Sequence, residues 1–209
     1  KRQTLGLYEV SEQKLLEAKR LAPDEPVVTF ALGEFYFDWG HFAEAISAYN
    51  ELLAAGTTEL AGVNIEARLA ASLAQTGQYE DAVAAYEDVG VDALDLNGRF
   101  ELGGLYLQLD DPAKAITNLQ AVIDSDPSYA NAYLPLARAY EAQNQPDKAL
   151  DTVQAGVMVD DTNPTLYALG GKLALSEDNV KLAETYLQKA LAIDPEAVSY
   201  THLRAHETR

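Results

Sequence analysis

Residues 102–119 read LGGLYLQLDDPAKAITNL, residues 136–153 read LARAYEAQNQPDKALDTV, and residues 170–187 read GGKLALSEDNVKLAETYL. Superposed at an interval of 34 residues, they align Leu102-Gly103 with Leu136-Ala137 and Gly170-Gly171. Ala115, Ala149 and Ala183 follow twelve residues after the small residues Gly103, Ala137 and Gly171. The pairs Gly33/Ala45 and Ala70/Ala82 keep the twelve-residue spacing, while the period between units drifts to 37 and then 33. Four residues beyond each alanine stands a larger side chain: Tyr49, Tyr86, Leu119, Val153 and Leu187. Self-similarity at such a period is the mark of a repeat array.

The pattern inside each unit predicts a helical hairpin. Leu102, Leu105, Tyr106 and Leu109 fall at i, i+3, i+4 and i+7, one face of an amphipathic helix. Turn signals divide the halves at Asp38-Trp39-Gly40, Thr76-Gly77, Asp110-Asp111-Pro112, Asn144-Gln145-Pro146 and Asp178-Asn179. Asp111 is an expected N-cap with Pro112 at the first helical position, where its missing N–H costs nothing. The small residues let paired helix backbones approach, and the following Tyr or Leu fills the adjoining groove. Pro23, Pro127 and Pro195 stop second helices.

A 34-residue helix–turn–helix unit with these residues resembles the tetratricopeptide repeat (TPR). The resemblance implies an all-α, right-handed α-solenoid. It divides the chain into a partial repeat at 1–25, contributing one second helix at about 8–22, and five repeats at 26–62, 63–95, 96–129, 130–163 and 164–197. There are departures: the early aromatic of the first helix survives as Tyr133 and Tyr167 but is Thr29 and Arg99 elsewhere, and Gly156 stands for an expected alanine. Pro135 should bend its helix or delay its start.

Acids outnumber bases 33 to 15, a formal charge of −18. That argues against nucleic acid, whose phosphates need clustered Lys and Arg. No apolar run approaches the roughly 18 residues of a membrane span. With no cysteine, disulfides, thiolate metal sites and thiol nucleophiles are ruled out. The chain starts at Lys1 without Met, and residues 198–209, beginning Val-Ser-Tyr-Thr-His-Leu, resemble a translated sequencing-adapter scar. A window from a longer array is therefore expected. Setting aside Arg204, Arg209 and Glu207 leaves 13 bases against 32 acids, or −19. His202 and His206, at i, i+4, could share a helix face but have no third ligand, so no metal site is expected. His41, in a turn, is expected to be solvated.

Candidate catalytic patterns have structural explanations. Ser11-Glu12-Gln13-Lys14 matches S-x-x-K without the companion motifs, and Ser11 sits at a small-residue phase of a helix. Gly103-Gly104 and Gly170-Gly171 follow no strand and lack a third spaced glycine, unlike phosphate loops. Asp110-Asp111 and Asp160-Asp161 read as capping and solvated turn residues. Trp39 is expected to anchor a turn beneath the first hairpin. Neither enzyme activity nor a cofactor is expected.

By the resemblance, the first helices line a groove that binds peptides or partner proteins. The inward phases hold Phe30, Glu34, Phe37 and Asp38; Asn64, Arg68 and Gln75; Asn97, Phe100, Glu101 and Gln108; Asn131, Arg138 and Glu141; and Thr165, Lys172 and Ser176. Arg68, Arg138 and Lys172 place bases in an acidic molecule, and the charges are mixed rather than sorted by sign. The two-carboxylate clamp for chaperone tails is absent, so a chaperone adaptor is not expected. The leading expectation is a non-catalytic scaffold or adaptor for a protein or peptide of basic or mixed charge, resembling bacterial cytoplasmic TPR proteins. The alternatives are the docking arm of a larger enzyme, or an envelope- or secretion-linked array, since an absence of cysteine suits the periplasm equally.

Overall fold

The computed structural model describes residues 2–195, with side chains from Gly6 onward. The adapter-like segment 198–209 and its two histidines lie outside them. The described residues form eleven α-helices: α1 (Arg2–Leu21), α2 (Pro26–Trp39), α3 (Phe42–Ala54), α4 (Ile65–Gln75), α5 (Tyr79–Val89), α6 (Leu96–Gln108), α7 (Pro112–Ser125), α8 (Tyr133–Ala142), α9 (Pro146–Val159), α10 (Pro164–Ser176) and α11 (Val180–Ile193). Two compact units result, one ending at Glu101 and the other beginning at Leu102, so that α6 contributes to both.

One device closes all five turns inside the hairpins α2–α3 to α10–α11. Gly40, Gly77, Asp110, Asn144 and Asp178 sit at φ between 55° and 79°. This left-handed conformation suits Gly and is tolerated by Asn and Asp. The next residue's N–H then reaches back to a carbonyl of the finished helix, as in His41→Tyr36, Gln78→Leu73, Asp111→Tyr106, Gln145→Tyr140 and Asn179→Ala174, all at 2.8–3.0 Å. This bond satisfies a carbonyl that the helix end would otherwise orphan. Asp111 and Asn179 cap the helices that follow, and Pro112 and Pro146 open theirs.

The repeated small residues are buried contacts. A Cβ built on Gly33 would lie 2.7 Å from the Tyr49 ring, one on Gly103 2.7 Å from Leu119, and one on Gly171 2.6 Å from Leu187. Ala45, Ala70, Ala82, Ala115, Ala137 and Ala149 are fully buried. In the first unit Ala45, Tyr49, Leu52 and Ile65 form a core flanked by Phe30, Tyr36 and Phe37. In the second, Tyr133, Ala137, Val153, Leu166 and Tyr167 do the same, with Tyr186 and Ala190.

Several local features differ from the sequence expectations. Helix α1 begins at Arg2, well before residue 8. Its Ser11 is exposed and donates to the Leu7 carbonyl at 2.9 Å rather than packing at a small-residue phase. The 37-residue interval contains a two-residue-per-strand hairpin, β1 (Glu59–Leu60) with β2 (Val63–Asn64), turned by Ala61 and Gly62 at φ 52° and 78°. Positive φ at both turn residues marks a type I′ connection. The delayed start expected of Pro135 is present: a 3₁₀ turn at Ala130–Ala132 holds α8 back until Tyr133. The proline thus occupies the first turn, where no intrahelical donor is lost. His41 is exposed in its turn as expected, and its ring also stacks on Trp39 at 4.0 Å, which stacks in turn on Tyr8 of α1 at 5.4 Å. Trp39 thus anchors the first turn through His41, as expected, and also joins α1 to α2 through Tyr8.

Candidate functional site

In the first unit the expected groove residues converge around Arg68. Its guanidinium bonds Glu34 at 2.9 Å and lies over the Phe37 ring, 5.0 Å from the centroid. Glu34 also accepts from the Tyr49 hydroxyl at 2.7 Å. Tyr49 is completely buried. Burial raises its ionisation above the ordinary phenol range, and the hydrogen bond to Glu34 adds to the effect. Phe30 is half-buried against the Ala45–Tyr49 core, and Phe37 meets Phe42 edge-on at 5.6 Å. Both aromatics are thus partly spent on packing.

A second centre lies between α4 and α6. The Tyr86 hydroxyl, from a side chain 1% exposed, donates to Glu101 Oε2. Burial raises the Tyr86 ionisation, followed by the charge and hydrogen bond of Glu101; Asp95 acts in the same direction and Arg68 against it. Arg68, Glu101 and Asp95 therefore share one electrostatic neighbourhood. They line a cleft of about 410 Å³ together with Asn64, Asn97, Tyr86 and the backbone of Gly62 and Gly98. Asn64 is not a helical residue; it caps α4, its Oδ1 accepting the Ala67 N–H at 2.9 Å. Asp95 does the same for α6, accepting from Gly98 N–H at 2.7 Å. The β-hairpin supplies one wall, with Gly62 and Val63.

In the second unit Lys172 of α10 pairs with Glu141 of α8 at 2.8 Å. Arg138 is exposed on α8, and Asn131 is exposed in the 3₁₀ turn rather than on the helix. Phe100 is half-buried and Asn97 exposed on α6. Two of the three bases expected to face a ligand, Arg68 and Lys172, are thus already matched by carboxylates. Sequence reading missed the roles of Tyr49 and Tyr86 as hydroxyl donors. Both were visible only as groove-filling side chains after Ala45 and Ala82. Among the described residues, no group of three His, Cys, Asp or Glu could hold a metal ion, and no helix is long and apolar enough to cross a membrane.

A family model described as YpiA-like tetratricopeptide repeats matches residues 3–57, and two further tetratricopeptide-repeat models match residues 106–173 and 164–196. TPR repeat-containing protein YpiA of Bacillus subtilis (strain 168) is 40% identical over 200 residues, covering 96% of this chain and 47% of that protein. The chain is a tetratricopeptide-repeat protein of bacterial type. Protein CTR9 homolog of Arabidopsis thaliana is 27% identical over 166 residues, 74% of this chain and 15% of that protein. The chain thus spans less than half the length of either curated relative. Among solved structures, MamA superposes with a TM-score of 0.73 at 23% identity, over 84% of this chain and 94% of that one. YrrB, titled a TPR protein with an unusual peptide-binding site, superposes with a TM-score of 0.76 at 16% identity, over 91% and 97%. At those identities the likeness is one of fold: an all-α solenoid of TPR hairpins.

Proposed function

We propose that this TPR protein is a non-catalytic scaffold that binds a peptide or partner protein along its first helices. The observation that carries the reading is the cleft of about 410 Å³ in the first unit. It gathers Asn64, Arg68, Asn97 and Glu101, four residues whose phase in the repeat already pointed to a ligand-facing position. Its volume falls within the roughly 300–1,000 Å³ of small-ligand and side-chain pockets. The cleft offers what an extended peptide needs: an amide donor for a backbone carbonyl, fixed carboxylates and a guanidinium. Arg138, exposed on α8, is a second contact point in the other unit.

The test is a titration of the isotope-labelled chain with a degenerate short-peptide pool, read by amide chemical shifts. Shifts should concentrate at Asn64, Arg68, Asn97 and Glu101. Shifts confined to the outer second helices, or no shifts at saturating pool, would sink the reading.

A further inference from the structure

We infer that the cleft between α4 and α6 selects a cationic side chain, Lys or Arg, of a bound peptide. The inference rests on the peptide-binding reading above and adds the chemistry of the residue that the cleft accepts.

The argument begins with charge. The cleft has one base in its lining, Arg68, and two acids, Asp95 and Glu101. Arg68 is not available to an anion on equal terms, because Glu34 holds it at 2.9 Å and its guanidinium rests over Phe37. With that base compensated from behind, the cleft presents the two carboxylates. The surrounding chain, at −18, deepens the same field.

Each carboxylate is anchored through one oxygen, and the same contact fixes the direction of the second. Glu101 takes the Tyr86 hydroxyl on Oε2. Asp95 takes the Gly98 N–H on Oδ1. A carboxylate with its rotamer already held pays less ordering entropy when it meets a cation. Facing a carboxylate, the Tyr86 hydroxyl is the donor, as any phenol is at neutral pH. Its contact therefore orients Glu101 without neutralising it. Asn64 completes the recognition. Its Oδ1 is committed to the α4 cap, so its Nδ2 is the atom left to donate to a peptide carbonyl next to the bound cation.

The competing occupant, an acidic peptide drawn to Arg68, would have to displace Glu34 while lying beside Asp95 and Glu101. Like-charge juxtaposition of that kind is a standard source of discrimination against wrong partners.

The experiment compares three degenerate peptide pools that differ only in one fixed central residue, Arg, norleucine or Glu, by fluorescence anisotropy on the full chain. The Arg pool should bind about tenfold more tightly than the norleucine pool, as one favourable charge pairing allows, and the Glu pool more weakly still. The Glu101→Gln/Asp95→Asn variant should lose the Arg preference, binding the Arg and norleucine pools alike. Gln still accepts from Tyr86 and Asn still caps α6, so both substitutions preserve the fold. A Glu80→Gln/Asp81→Asn variant makes the same charge change at the far end of α5, outside the cleft, and should keep the preference. Equal binding of all three pools overturns this inference while leaving peptide binding intact. So does an Arg preference that survives in the cleft variant or vanishes equally in the control variant. Failure of every pool to bind overturns both readings together.

Discussion

Gly103 and Gly104 are neighbours in the middle of α6, and replacing each with alanine should move stability in opposite directions. Outside packing, the two substitutions are equivalent: each swaps the poorest common helix former for the best and gains up to about 1 kcal/mol. They differ in what the new methyl group meets. At Gly104 nothing lies within 4 Å of a built Cβ. At Gly103 the Cβ would fall 2.7 Å from Leu119 Cγ, 3.0 Å from its Cδ2 and 3.5 Å from Asn118 Cβ. Leu119 is fully buried, so it has no solvent into which to turn. Overpacking of this kind costs about 1–3 kcal/mol. Gly104→Ala should therefore stabilise the protein by about 0.5–1 kcal/mol. Gly103→Ala should destabilise it by about 1 kcal/mol, once the propensity gain offsets part of the clash. Urea denaturation followed by far-UV circular dichroism reads the two midpoints against wild type. Thermal unfolding should separate the variants by about 2–4 °C for each kcal/mol between them, as expected for a chain of this size. A Leu119→Ala background supplies the internal check, because there Gly103→Ala should become stabilising. If Gly103→Ala proves as stable as Gly104→Ala, close approach of α6 to α7 is not what the small-residue phase is for.

Two further expectations follow from single side chains. Asn118 is 6% exposed, and its Oδ1 has no hydrogen-bond partner, while Nδ2 donates to the Lys114 carbonyl at 2.9 Å. Asn118→Leu, similar in size, should raise stability by about 1–2 kcal/mol by removing a buried unsatisfied acceptor; a lower urea midpoint would show that the amide is satisfied. Asp126 and Asp160 each accept a hydroxyl and a backbone N–H, from Ser128 and Thr162, and these bonds hold both carboxyls below the ordinary Asp range. With folded values lower than unfolded ones, their contribution is present above the unfolded value and is lost as pH falls through the folded one. In a carbon-detected NMR titration, Ser128→Ala should move Asp126 upward and leave Asp160 in place, and the variant should lose less stability on acidification. An unmoved Asp126 would refute the hydroxyl's role.

Much of the architecture was legible because it repeats. A hairpin turn at Gly40, Gly77, Asp110, Asn144 or Asp178 needs a residue that tolerates positive φ, and few residue types do. The site was legible only in part. That Arg68 and Glu101 occupy the same phase of their respective first helices can be read from spacing. That Glu34 claims Arg68 cannot, because the two stand 34 residues apart on separate helices and meet only when α2 and α4 are laid side by side. The hairpin at Glu59–Asn64 was missed for a local reason. Its turn is Ala61-Gly62, and alanine at φ 52° carries none of the Asn or Asp signal that marks such connections.

The sequence by itself determined the period, the all-α class, the turns and the small-to-large pairing of Gly33 with Tyr49, Gly103 with Leu119 and Gly171 with Leu187. Each of these depends on spacing along one chain and on the bulk of a side chain. Only the tertiary structure decided that Tyr49 and Tyr86 tie down Glu34 and Glu101, that Arg68 and Lys172 are matched by carboxylates, and that Asp95 and Glu101 face one cleft. Those outcomes depend on how one helix is rotated against the next. Hydrogen bonds and ion pairs are formed or lost over about 1 Å, a tolerance finer than any repeat pattern encodes.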